Sequence, residues 1–255
     1  MSVGSTKGDM SAVPMNEKPK RVRVGVLAVQ GDFAEHAARL RDLGCETIEL
    51  RSAADLDTGL DAIVLPGGES SVQTALLEEF AMTEPLKQLI AEGVPVLATC
   101  AGLILLANEV EHTNGGTDAS APLKQACIAP GAIGTLPVRV KRNAYGRQLA
   151  SFHAEAPLHG SAPFESCATT SSSSLPTADT ESLAVDAPLI PLTFIRAPQI
   201  AATGKEVETL VSVDGAPVAV RFGNQVGITF HPELDDDDTL YQFFLSLIAK
   251  RNQQR

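Results

Sequence analysis

Cys100 stands where two kinds of apolar run meet. Val94 to Thr99 has the look of a strand, and Ala101-Gly-Leu-Ile-Leu-Leu-Ala107 that of a helix beginning right after the cysteine. A chain that reverses so sharply lifts one side chain above the sheet and needs small neighbours, which Ala98, Ala101 and Gly102 supply. A thiol in that position lies at a helix N-terminus, where unpaired amides favour thiolate and the Ala101 N–H can donate to an oxyanion. The same pattern also suits a structural cysteine buried at a strand end. Catalysis therefore needs partners elsewhere in the chain.

Two further segments offer them. Gly223 to Phe230 reads as a hairpin leading into a strand, and it ends in His231-Pro232-Glu233. Pro232 favours extended geometry at His231, and residues two apart in an extended chain share a face, so the imidazole and the Glu233 carboxylate are expected side by side. A carboxylate there keeps one ring nitrogen protonated and leaves the other to exchange a proton with a thiol. Upstream, Asp61 to Leu65 is a short apolar strand followed by Pro66-Gly67-Gly68-Glu69-Ser70-Ser71. Successive glycines let backbone amides approach a ligand closely, and one of them could face the Ala101 N–H across a reacting carbonyl.

Taken in order, these residues spell a family. Gly25-Val-Leu-Ala-Val-Gln-Gly31 with Glu35-His36, Leu65-Pro-Gly-Gly-Glu-Ser70, Thr99-Cys-Ala-Gly-Leu-Ile104, Arg142-Asn143 with Gly146-Arg147-Gln148, Phe194-Ile-Arg-Ala-Pro198 and Phe230-His-Pro-Glu-Leu234 closely resemble the glutaminase subunit of the ribose-phosphate-dependent pyridoxal phosphate synthase, a class I (triad) glutamine amidotransferase. The resemblance runs from about Val22 to the C-terminal helix. It implies Cys100 as nucleophile, His231 as general acid/base and Glu233 as the residue orienting it, with Gly67, Gly68 and Ala101 around the oxyanion. It places glutamine against Gly68, Glu69, Ser70, Arg142, Ile195 and Arg196. Arginines and a glutamate suit the α-carboxylate and α-ammonium of that substrate. Ammonia would pass to a (β/α)8-barrel synthase subunit in a hetero-oligomer, and this chain would need no cofactor or metal of its own. Gln30 and the Gly67–Ser71 loop are expected near that interface.

The family pattern is not matched everywhere. Ala98 stands two before the nucleophile where glycine is usual, one added methyl that a strand end can accommodate. Loop-like segments around 111–132 and 166–191 read as insertions. His36 falls on a family position in the first helix but receives no catalytic role, and His112, His153 and His159 read as surface residues. Two other readings remain. One is a related enzyme, such as a glutaminase of another amidotransferase or a γ-glutamyl hydrolase; the other is a scaffold or glutamine-sensing subunit.

Positioning such a site requires an α/β fold, a mostly parallel central sheet with helices on both faces, of flavodoxin-like three-layer architecture. The first half has the required alternation. Strands are expected at Val22–Val29, Cys45–Leu50 and Asp61–Leu65, with helices at Phe33–Leu43 and Pro85–Glu92. Strands around Leu136–Val140, Leu192–Ile195 and Val207–Thr229 are expected to extend the sheet, and Thr239–Arg255 to close it as a helix. At 255 residues with 44% hydrophobic content, 21–255 can form one domain behind a disordered tail at 1–20.

A formal charge of -11 argues against nucleic acid or an anionic membrane as partner. Asp235 to Asp238 precede a helix, where acids cap amides rather than hold a metal. Cys45, Cys100, Cys127 and Cys167 match no zinc or disulfide spacing, which suits a reducing cytoplasm.

Overall fold

The computed structural model describes residues 21–111, 128–129, 131–142, 151–159 and 187–253. Strands and helices alternate through the first part: β1 (Arg23–Leu27), α1 (Phe33–Asp42), β2 (Glu46–Leu50), α2 (Ala53–Leu56), β3 (Ala62–Leu65), α3 (Ser70–Glu79), α4 (Thr83–Ala91), β4 (Val96–Thr99) and α5 (Ala101–Leu106). Strands then dominate: β5 (Ala107–Glu111), β6 (Ile128–Ala129), β7 (Leu136–Lys141), β8 (Ser151–Pro157), β9 (Leu189–Ile195), β10 (Gln199–Thr203), β11 (Glu208–Val213), β12 (Ala216–Phe222) and β13 (Gln225–Ile228). A 3-10 turn at Pro232–Leu234 and α6 (Thr239–Gln253) complete the described chain.

Seven strands form the central sheet in the order β11-β12-β13-β4-β3-β1-β2. From β2 to β13 the neighbours run parallel, and β12 and β11 add an antiparallel edge. The central strands β3, β4 and β13 are buried at every position, since both faces of the sheet are covered. Side chains alternate between two cores. Val24, Val26, Ala62, Val64 and Leu97 pack with α1 and α6, whose Leu40, Phe244 and Leu247 are buried. Leu27, Ile63, Leu65, Val96 and Ala98 face the other way, onto Leu77 of α3, Leu86 of α4 and Leu103 of α5. Each such aliphatic side chain contributes about 1.5–3 kcal/mol by leaving water. The methyl of Ala98 is fully buried in this second core.

Two expectations about strand pairing are corrected. Leu136–Val140 does not extend the central sheet: β7 lies in a separate four-stranded sheet ordered β10-β7-β5-β6. Leu192–Ile195 belongs instead to β9, which among the described residues pairs only with β8 in a two-stranded ribbon. Alternation identifies a strand but not its neighbour. The second sheet arises because α5 is only six residues long and leaves the helix at Ala107 (φ -59°, ψ 134°) to become β5, which β7 joins in parallel. Glu111 and Leu189–Pro191 are strand residues, so the loops at 111–132 and 166–191 are shorter at those ends; most of both segments, with His112, Cys127, Cys167 and the tail 1–20, lies outside the described residues.

These secondary sheets matter for position. β7 brings Arg142 to one rim of the C-terminal edge of the central strands, and the β8–β9 ribbon brings Ile195 and Arg196 to another. A cavity of about 470 Å³ opens between them.

Candidate active site

Cys100 occupies the turn between β4 and α5 with φ 46° and ψ -99°, a left-handed conformation uncommon for a residue with a side chain. Parallel pairing on both sides holds the strand that delivers it, Leu65 opposite Ala98 and Ile228 opposite Thr99, and the Cys100 N–H donates to the Ile228 carbonyl at 2.9 Å. The helix that follows lies hard against β3. A side chain at Gly102 would fall on the Leu65 carbonyl oxygen, so only glycine permits this approach. Ala101, the first residue of α5, has no helical acceptor for its amide.

His231 reaches the same place from the end of β13. Its N–H donates to the Thr193 carbonyl at 2.8 Å, and its backbone (φ -115°, ψ 86°) stays out of the helical region, which the following Pro232 disfavours. The next step differs from expectation. Pro232, Glu233 and Leu234 wind into a 3-10 turn rather than continuing extended, because Pro232 fixes a φ that suits a helical first position. The turn still aims the carboxylate at the ring: His231 Nδ1 donates to Glu233 Oε1 at 2.6 Å. Nε2 makes no hydrogen bond within the described residues and is left for the sulfur side of the site.

Burial opposes a charged imidazole, but the Cys100 sulfur and the Glu233 carboxylate outweigh it and push the His231 pKa up to about 10. Burial likewise works against the Glu233 carboxylate, yet the His231 bond holds it below the usual range. The pair is thus set as imidazolium and carboxylate. Asp32 adds a further negative group, its Oδ2 3.7 Å from His231 Nδ1. Asp32, His231 and Glu233 also form a cluster of potential metal ligands, but an ion bound at Nδ1 would displace the proton that Glu233 holds there.

The Gly67–Gly68 loop lies beside this pair. A Cβ on Gly67 would come within 2.6 Å of His231 Cε1 and 2.9 Å of Asp32 Oδ2. The Gly67 carbonyl accepts from the Asp32 N–H at 3.2 Å and from Gln73 Nε2 at 3.4 Å. A planar trans peptide then directs the Gly68 N–H the opposite way, away from the β1–α1 loop. Gln73, fully buried, also donates to the Gln30 carbonyl at 2.9 Å, while Gln30 Oε1 accepts the Glu69 N–H at 2.8 Å. Gln73 and Asp32 fix the loop but carry no motif of their own; only their adjacency to Gly68-Glu69-Ser70 and Gln30-Gly31 could have flagged them.

Glu69 caps α3, accepting the Val72 N–H at 2.9 Å, and its carboxyl is held low by such amide contacts against a burial cost. Across the cavity mouth Arg142 Nη2 donates to Glu69 Oε1 at 3.1 Å and to Ser71 Oγ at 2.9 Å. Gly68, Glu69, Ser70, Cys100, Ala101, Arg142, Ile195, Arg196 and His231 all line the one cavity. Glu233 lies behind its wall, reaching the site only through His231. Arg196 has a left-handed backbone (φ 43°) that turns the chain at the end of β9. His153 and His159 are exposed, as expected, and Asp235–Asp238 serve structure: Asp237 accepts the Thr239 N–H and Arg39 pairs with Asp236 and Asp238.

Residues 26–250 match the model of the SNO glutamine amidotransferase family. The chain belongs to that family. Among relatives of this SNO-family chain, a protein of Desulfitobacterium hafniense (strain DSM 10664 / DCB-2) named pyridoxal 5'-phosphate synthase subunit PdxT is 44% identical over 228 residues, covering 89% of this chain and 94% of the relative. A protein of the same name from Methanocorpusculum labreanum is 42% identical, covering 91% and 100%. A crystal structure titled glutamine amidotransferase superposes with a TM-score of 0.68 at 33% identity, over 89% of this chain and 98% of the other. PurLQS from Thermotoga maritima, at 14% identity and a TM-score of 0.59, covering 91% and 100%, shares the fold alone. The SNO-family fold is therefore the α/β fold of class I amidotransferases, as expected from the strand and helix alternation.

Proposed function

We propose that this chain hydrolyses L-glutamine to L-glutamate and ammonia through a thioester on Cys100, and delivers the ammonia to a synthase that makes pyridoxal 5'-phosphate. The observation that carries the proposal is the convergence of Cys100 and His231 on one cavity beside a glycine loop, with Glu233 bonded to His231 from behind, in a chain of the SNO family. The Cys100 sulfur attacks the side-chain carbonyl carbon of glutamine, and the resulting oxyanion is held by the Ala101 amide and by one from Gly67–Gly68. The His231 imidazolium gives its proton to the departing nitrogen, and ammonia leaves. His231, now neutral, takes a proton from water, whose oxygen attacks the thioester carbon; glutamate departs and the sulfur recovers its starting state. Glu233 keeps the ring in the tautomer that both steps need. Glu69, Ser70, Ile195, Arg142 and Arg196 would bind the amino-acid end of glutamine. All of these steps use side chains, amides and water.

The names of the relatives support a synthase as partner, and the (β/α)8-barrel form of that synthase, assembled with this chain as a hetero-oligomer, belongs to the proposal. So do a cytoplasmic setting, a single domain over 21–255 and an N-terminal tail. No helix among the described residues is long and apolar enough to cross a membrane.

Glutamate release from glutamine by the purified chain mixed with its cognate pyridoxal phosphate synthase tests the proposal, with Cys100→Ala in parallel. Turnover in the wild type and its loss in the variant, by at least about 10³-fold, is the expected result. A mixed complex that forms without any turnover would favour a scaffold or sensor instead.

A further inference from the structure

Among the described residues, His36 is the one buried histidine that the proposed chemistry does not use. It lies on α1, fully enclosed, behind the triad. Its Nε2 is 3.3 Å from Glu233 Oε2, the carboxylate oxygen that His231 does not engage and that has no hydrogen bond of good geometry. The same Nε2 is 3.1 Å from Thr99 Oγ1, on the residue before the nucleophile. On the other edge of the ring, Nδ1 is 2.7 Å from the hydroxyl of Tyr241, itself fully buried on α6.

These contacts choose a tautomer. Were the proton on Nδ1, the Nε2 lone pair would face a carboxylate oxygen at close range, and the Tyr241 hydroxyl would have to accept while its own proton sought another partner. With the proton on Nε2, the Tyr241 O–H donates to Nδ1, and the Nε2–H end of the ring dipole faces Thr99 Oγ1 and Glu233 Oε2. Burial favours this neutral form and holds the His36 pKa below its ordinary value. Burial also raises that of Tyr241, which keeps its proton to donate.

We infer that His36, with its tautomer set by Tyr241, is a positioning residue whose Nε2–H end, set beside the free oxygen of Glu233, favours the ionised carboxylate and so keeps it aimed at His231. The inference rests on the proposed glutaminase reading. Glu233 would otherwise have one oxygen in an apolar space, which favours protonating it and weakens the bond to His231 Nδ1. The groups facing His36 are Glu233, His231 and Asp32 from across the site, Tyr241 from α6, Thr99 from β4 and Glu35 on its own helix. Those facing His231 are Cys100, Glu233 and Asp32.

The test uses the full chain in two assays. Alkylation of Cys100 by iodoacetamide, followed by peptide mass spectrometry as a function of pH, reads the Cys100–His231 couple without glutamine; glutamate release with the synthase present gives kcat and KM. His36→Leu is expected to move the high-pH step of the alkylation profile, which reports loss of the His231 proton, to lower pH. It should also lower kcat about 10- to 100-fold, with KM unchanged. His36→Gln, which can place an amide N–H near the same oxygen, should restore the wild-type profile, and Tyr241→Phe should shift it partway. A profile and kcat that stay at wild-type values in His36→Leu and Tyr241→Phe, with only the melting temperature lowered, would overturn the inference. If His36→Leu does not fold, Tyr241→Phe decides alone, a shifted step supporting the inference and an unshifted one overturning it. A wild type that releases no glutamate while the alkylation step still moves in the variants would sink the glutaminase reading and leave the positioning role standing.

Discussion

Glu233 is flanked by two imidazoles whose pKa values are displaced in opposite directions. Burial keeps His36 below its ordinary pKa, so the unfolded chain takes up a proton near pH 6.5 that the fold excludes, and stability falls as pH drops below about 6.5. His231 is raised to about 10, so its stabilisation is fully present below about pH 6.5 and is lost as pH rises through about 10. Urea-unfolding midpoints measured from about pH 6.5 to about 5, where the His231 contribution is constant, should decline less steeply in His36→Gln than in the wild type, and an equal slope would contradict a neutral His36. At the cavity mouth, Arg142 and Glu69 pair with each other across 3.1 Å, each satisfying a charge that the two ends of glutamine would otherwise take up. Arg142→Ala should therefore raise KM for glutamine, about 10- to 100-fold as for loss of a charged hydrogen bond, with a smaller change in kcat. Steady-state kinetics with the synthase present would show it. The triad and the cavity residues were legible because they sit inside short motifs. His36 and Tyr241 meet 205 residues apart in sequence, and no local pattern announces such a pair.

Elements set how well those residues are aimed. Gly102 lets α5 approach β3 until a Cβ would collide with the Leu65 carbonyl, an atom of the central sheet that cannot rotate aside. Alanine is the better helix former by about 1 kcal/mol, but overpacking against backbone costs roughly 1–3 kcal/mol, so the steric effect wins. Gly102→Ala should lower the urea midpoint and also reduce kcat, since α5 carries the Ala101 amide proposed to hold the oxyanion. A stabilised variant with full activity would show that α5 can back away from β3. The parallel strands, α1, α4 and α5 were readable from their apolar runs, and the hairpin before His231 from its turn residues, whereas the extent of α3 was not. Strand partners were not, because β7 and β9 look the same whether they join the central sheet or another. The short α2 was missed although its signal was present: Asp55 Oδ2 accepts the Ser52 N–H at 2.8 Å and Ser52 Oγ at 3.0 Å, a capping box written as Ser-Ala-Ala-Asp. The His-Pro-Glu turn was read as extended because alternation was extrapolated past a proline that instead begins a helical turn.

For the whole molecule, the arrangement of its loops bears on how a partner would control it. The Gly67–Gly68 loop, proposed to hold the oxyanion, is not braced by the central sheet alone. Gln30 Oε1 holds the Glu69 N–H, Gln73 ties the Gln30 and Gly67 carbonyls together, and the Asp32 N–H holds Gly67 from the β1–α1 loop. Gln30 is only half-buried, and Gly68 and Glu69 are exposed. A protein docked on this face could therefore reset the Gly67–Gly68 peptide through Gln30 without touching Cys100, because the hydrogen bonds that define the peptide's orientation run through residues at the surface. Glutaminase turnover should then rise when the synthase is added. Gln30→Ala should blunt that rise, while His231, held from behind the cavity wall by Glu233, keeps its geometry. Turnover measured with and without saturating synthase, for wild type and Gln30→Ala, separates the cases. Equal wild-type turnover in both conditions would mean that the hole is complete in the free chain. A rise of the same size in both proteins would mean that the partner acts by another route, with the Glu69–Arg142 pair at the rim as the next connection to break.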